Sequence, residues 1–103
     1  MNHVSLIGKM ESPPVIGELK GGICCSRFKL ITQTKMIDAE GIPREVKQKH
    51  DVYAWGKWRH ILNQVGQADL QMAVEGRLIN RYVRWNGKTI KITEIEVNDV
   101  VLM

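Results

Sequence analysis

The chain is 103 residues long, with 44% hydrophobic and 25% charged residues and a formal net charge of +4. That length holds one domain, residues 1–103, with one modest core, and the composition is that expected of an ordinary soluble globular protein. The positive charge is uneven: thirteen Lys/Arg stand against six Asp/Glu between Arg27 and Lys91, while the last ten residues carry three acids and no base. A concentrated basic stripe attracts polyanions.

Most of the chain alternates with a period of two. Asn2 to Met10 is a first predicted strand, with Val4 and Leu6 on one side and Ser5 and Lys9 on the other. Glu11 to Gly22 holds two prolines and three glycines and is predicted to be a turn-rich connection. Ile23 to Lys35 is the second predicted strand, with Ser26, Phe28, Leu30 and Thr32 on one face and Arg27, Lys29, Ile31 and Gln33 on the other. A loop over Asp38–Pro43 leads into the third, Val46 to Trp55. That strand puts Val46, His50, Val52 and Ala54 inward and Lys47, Lys49, Asp51, Tyr53 and Trp55 outward.

The period then changes. Trp58, Ile61, Leu62 and Val65 follow a helical stripe, and Gly66 stands at the natural stop. Alternation returns over Leu70–Trp85, with Met72, Val74, Leu78 and Tyr82 assigned to the core face. Glu75, Arg77, Ile79, Arg81, Val83 and Trp85 take the opposite face. Asn86-Gly87 marks a tight hairpin, because both central residues of a type I′ turn need positive φ. The returning strand from Lys88 shifts its apolar phase between Ile92 and Ile95, which predicts a bulge there. Five strands with one short helix between the third and fourth predict an all-β, five-stranded Greek-key barrel, the OB-fold.

One sheet face then gathers Arg27 and Lys29, Lys47, Lys49, Tyr53 and Trp55, and Arg77, Arg81 and Trp85 from three strands. Cations interleaved with rings suit a single-stranded nucleic acid: the cations neutralise phosphates and the rings stack on bases of any identity. The plainer alternative for the cations is a solvated strand face, and for Tyr53 and Trp55 burial at a subunit interface. Trp58, Met36 and Met72 are assigned to packing, and His50 to hydrogen bonding within the fold.

The motifs are ordered. N-x-V-x-L-I-G spans Asn2 to Gly8, and F-x-L-x-T is Phe28, Leu30 and Thr32. H-x-x-x-A-W-G-K runs from His50 to Lys57, E-G-R-L is Glu75 to Leu78, and T-E-I-x-V is Thr93 to Val97. In these the chain resembles the bacterial single-stranded DNA-binding protein family over its whole length. The resemblance implies an OB-fold, single-stranded DNA as partner, and homo-oligomers, with a tetramer favoured and a dimer possible. It implies roles in DNA replication, recombination and repair, in the cytoplasm at the nucleoid. By position, Trp55 matches a stacking aromatic and Arg81 a basic residue of the fourth predicted strand. Family tryptophans fall here on Lys49, Met36 and Val83, with Trp85 two residues on as a substitute. The resemblance thus implies fewer stacking rings, more phosphate contacts and a steeper salt dependence. Family members usually continue into a linker and an acidic tip; this chain stops at Met103, so partners recruited by such a tail are not expected from it.

Two other readings compete. One is an OB-fold dimer like primosomal replication protein N, acting in replication restart; the other is an OB-fold protein-interaction module. An enzyme is not expected. His50 and Asp51 are adjacent on a strand and point apart, and Glu94 and Glu96 read as surface acids. Nor is a metal or cofactor expected: the histidines are His3, His50 and His60, and Cys24 and Cys25 are adjacent with no Cys-x-x-Cys. Adjacent thiols close no loop and point to a reducing compartment. No apolar run reaches the roughly 18 residues of a membrane helix, and no signal peptide is expected.

Overall fold

Two long hairpins and a short opening strand close into a barrel in the computed structural model, which describes all 103 residues. The elements are β1 (Val4–Met10), β2 (Val15–Glu18), β3 (Cys24–Ile37), β4 (Pro43–Trp55), α1 (Lys57–Val65), β5 (Gln71–Trp85) and β6 (Lys88–Leu102). β1 pairs antiparallel with β5 from Val4↔Gly76 to Lys9↔Gln71, and with β3 at Lys9↔Ile31 and Met10↔Leu30. β3 and β4 form one hairpin, β5 and β6 the other. A short parallel contact, Val52↔Ile95 and Tyr53↔Glu96, joins the hairpins and closes the barrel. The five barrel strands with a helix between the third and fourth of them are the OB-fold read from the sequence.

β2 is the element that reading lacked. Pro13 and Pro14 cannot donate to a ladder, so the edge strand breaks after Met10. The chain resumes beyond them as β2, which pairs with Cys24–Arg27 on the edge of β3 that β1 has left open.

The core holds Met10, Phe28, Leu30, Val52, Ala54, Met72, Val74, Ile95, Val97 and Val100, closed at one end by Leu62 of α1. Trp58 packs against this cluster, and its indole N–H donates to the Asn98 carbonyl at 3.2 Å. Ser26, fully buried, donates to Asn63 Oδ1 at 2.6 Å and ties the helix to β3. His50 meets Thr32 Oγ1 at 2.9 Å, the structural role expected of it. Met72 is buried as expected, whereas Met36 lies half exposed on the β3–β4 hairpin.

Two corrections concern the last hairpin. Leu78 and Tyr82 keep the predicted phase but are 48% and 67% exposed, because the core ends near Gly76 and the strands run on into solvent. The bulge lies at Asn98, where Glu75 pairs with Asp99 and Gly76 with Val97, not between Ile92 and Ile95. Those two isoleucines lie on opposite faces of an unbroken ladder. Gly76 itself is required by close approach: a Cβ there would stand 2.0 Å from the Glu96 carbonyl oxygen. The turn Asn86-Gly87 has φ of 50° and 73°, as its type demands.

The projecting hairpins give a radius of gyration of 15.3 Å, against about 13 Å for a compact domain of this length. No helix is long and apolar enough to cross a membrane.

Candidate nucleic-acid interface

The registers bring Arg27, Tyr53, Arg77 and Arg81 together on the outward face of β3, β4, β5 and β6, while Lys47 and Trp85 lie farther out on the two separate hairpins. Arg27 lies opposite Tyr53, Tyr53 beside Glu96, Glu96 opposite Arg77, and Ile79 opposite Glu94. The surprise is the two acids. Glu94, read as a surface residue, is 3% exposed, and its two carboxylate oxygens accept from Arg27 Nε at 3.0 Å and Arg81 Nε at 2.6 Å. Glu96 accepts from Arg77 Nε at 2.9 Å and from the Tyr53 hydroxyl at 2.9 Å.

Burial pushes the Glu94 carboxyl up, but its bonds to Arg27 and Arg81 outweigh that and hold it below the usual carboxylate range. Glu96 behaves alike, with Arg77 and Tyr53 overcoming desolvation. Tyr53 is pushed up by burial and by the neighbouring Glu96 carboxylate. Its ring is almost wholly covered, with Arg27 Cζ 5.7 Å from the ring centroid. Tyr53 is therefore a support beneath the face and not an open stacking platform.

The outer lysines are paired more loosely. Lys29 Nζ lies 3.1 Å from Asp51, both side chains about half exposed. Lys49 Nζ stands 2.8 Å from Glu11 Oε2 but off the line of a hydrogen bond, so that oxygen has a charge partner and no aligned donor. Of the six predicted cations on the barrel wall, only Lys47 has no ion pair. Trp55 is 49% exposed at the end of β4, beside a groove of ≈ 620 Å³ shared with Lys20, Ile23, Arg81 and Glu94.

Of the eight Lys/Arg without an ion pair, three lie on the β5–β6 hairpin beside exposed rings, the others being Lys20, Lys35, Lys47, Lys57 and Arg59. From Gly76 to Thr93 there are five Lys/Arg and no acid, and Arg84, Lys88 and Lys91 are exposed without an ion pair. Trp85 is 65% exposed across from Lys88 on one face, and Tyr82 lies across from Lys91 on the other. Tyr82, Arg84, Lys88 and Lys91 are the residues sequence reasoning missed. The sequence signal for the three cations is the run from Gly76 to Thr93, which carries basic residues and no acid.

Residues 1–103, the whole chain, match the profile of the single-strand binding protein family. The chain belongs to that family. The single-strand binding family is one of DNA-binding proteins, not enzymes. No curated protein sequence matches the chain. Among solved structures, an SSB of Plasmodium falciparum in complex with ssDNA aligns with a TM-score of 0.87 at 23% identity, over 100% of this chain and 95% of that one. A deletion mutant of the single-stranded DNA binding protein from Thermus aquaticus gives 0.85 at 24% identity, over 100% of this chain and 50% of that one. This chain thus spans half the length of that deletion-mutant chain. The small single-stranded DNA-binding protein of Streptomyces coelicolor gives 0.73 at 19% identity, over 98% and 93%. At these identities the likeness is one of fold, and it agrees with the barrel described above.

Proposed function

We propose that the chain, a member of the single-strand binding protein family, coats single-stranded DNA without reading sequence, and that the β5–β6 hairpin together with Trp55 does most of the holding. One observation carries the placement: exposed cations without acidic partners occur beside exposed rings on that hairpin. Cations take phosphates, and rings stack on bases, each stacked base contributing on the order of 1–3 kcal/mol. Duplex DNA hides its base faces, so such a surface favours single strands.

In this reading Trp55, Trp85, Arg81, Arg77 and Lys47 touch DNA directly, joined by Tyr82, Arg84, Lys88 and Lys91. Lys29 contributes once phosphate replaces its exposed partner Asp51, since such a surface pair is worth only about 0–1 kcal/mol; Lys49, whose partner Glu11 has a buried Oε2, is held more firmly. Arg27 and Tyr53 hold the face from beneath.

The setting is DNA replication, recombination and repair, in the cytoplasm at the nucleoid, a placement the two free thiols support. Assembly as a homo-oligomer, a tetramer or a dimer, is supported by an apolar row. Ile7, Ala73 and Val101 lie side by side on β1, β5 and β6, with Ile7 and Val101 at least 60% exposed. Titration with oligo-dT tests the function. Tryptophan fluorescence should be quenched, and duplex of equal length should compete poorly. No quenching at low salt would contradict the reading.

A further inference from the structure

Two anions, Glu94 and Glu96, stand among Arg27, Tyr53, Arg77 and Arg81 on this face. We propose that Glu94 is a built-in competitor for the arginines of this face, holding its affinity for single-stranded DNA below what the cations alone would give. The inference rests on the DNA-binding reading above and deepens it.

Glu94 lies on β6 and bridges β3 and β5, two strands that are not paired with each other. Each of its oxygens engages a different arginine, Arg27 at 3.0 Å and Arg81 at 2.6 Å. A phosphodiester presents the same offer as a carboxylate, one negative charge shared over two acceptor oxygens. The two therefore compete for one set of guanidinium groups. Glu94 is held in place by the chain, whereas a phosphate must arrive from solution.

Charge arithmetic gives the scale. Arg27, Arg77 and Arg81 supply three positive charges; Glu94 and Glu96 cancel two of them, leaving one. The pairs at the rim differ in kind. Lys29–Asp51 has both side chains near half exposed, so water and salt screen it and a phosphate can take its place. The Glu94 side chain is 4% exposed and cannot turn to water when displaced. Its arginines therefore remain partly neutralised while DNA is bound. Each guanidinium is gripped through Nε, so the exposed edge of Arg81 still faces the groove, but a phosphate meeting it also meets a carboxylate 2.6 Å behind. A coat limited in this way lets go of DNA more readily than one with three free arginines.

A purely structural role predicts something else. Glu94 and Glu96 flank Ile95, which carries the short β4–β6 closure of the barrel. If the acids only brace that closure, their removal lowers thermal stability and leaves the salt response alone. The test is an oligo-dT titration of the full chain and of Glu94→Gln and Glu96→Gln over a series of salt concentrations, with a thermal melt of each. Glu94→Gln should bind about fivefold more tightly near 0.1 M salt, and its slope of log affinity on log salt should steepen by about 0.7, one further phosphate neutralised. Glu96→Gln, freeing Arg77, should shift both quantities the same way, and it serves alone if Glu94→Gln does not fold. Unchanged or weaker binding at an unchanged slope in the folded variants overturns the competitor role. Absence of binding by the parent chain at low salt overturns the DNA reading itself.

Discussion

Glu94 is the residue that most alters the chemistry of this face. The sequence reads it as a surface acid, but its burial depends on Arg27, which lies 67 residues away in sequence. No local pattern carries that information. Trp55, by contrast, was legible: it closes a strand, precedes Gly56-Lys57 and stays half exposed. Trp55→Ala is expected to lose roughly 1–3 kcal/mol of binding to every base sequence alike. Titrations with oligo-dT, oligo-dA and mixed sequence check this, and a loss confined to one of them would contradict nonspecific stacking. Glu94 also predicts a pH dependence of folding. Its carboxyl is held below its ordinary value of 4.5 in the folded chain, so the stabilisation is fully present above that value. It is lost as pH falls through the lower, folded value. Urea midpoints should therefore drop below about pH 4.5 in the parent chain and drop less steeply in Glu94→Gln.

At the scale of elements, strand order and the Asn86-Gly87 hairpin followed from period and turn chemistry, while the extent of the core did not. Tyr82 continues the phase of Met72 and Val74, so alternation alone assigns it inward. Alternation reports which face a side chain takes, but not where the barrel beneath that face ends. β2 was hidden for a related reason, since four residues between prolines and glycines make too short a run to register. The crossing of β5 and β6 depends on Gly76, whose Cβ would collide with the Glu96 carbonyl. Gly76→Ala is expected to destabilise the fold by about 1–3 kcal/mol through forced backbone displacement. Thermal or urea unfolding measures this, and a melt equal to the parent would show that the ladder can move aside.

For the molecule as a whole, fold and family were both legible, because five spaced motifs and one strand order agree with the barrel and with the family match over residues 1–103. What moved is the proposed location of the binding charge, from a barrel wall largely neutralised by its own acids to the end of the β5–β6 hairpin, where Gly76–Thr93 carries none. The mass in solution belongs to this scale too. An oligomer is expected, and Val101→Glu, placing a charge in the apolar row, should shift it toward the monomer if that row is the interface.

Placement of the binding charge on the hairpin is tested most directly by the salt dependence of oligo-dT binding. The comparison is between the parent chain and the triple variant Arg84→Ala, Lys88→Ala, Lys91→Ala. The variant should bind more weakly, with a slope shallower by about 0.7 for each phosphate it no longer neutralises, close to 2 if all three cations engage. An unchanged slope, with affinity retained, would return the binding charge to the barrel wall and contradict the placement on the hairpin.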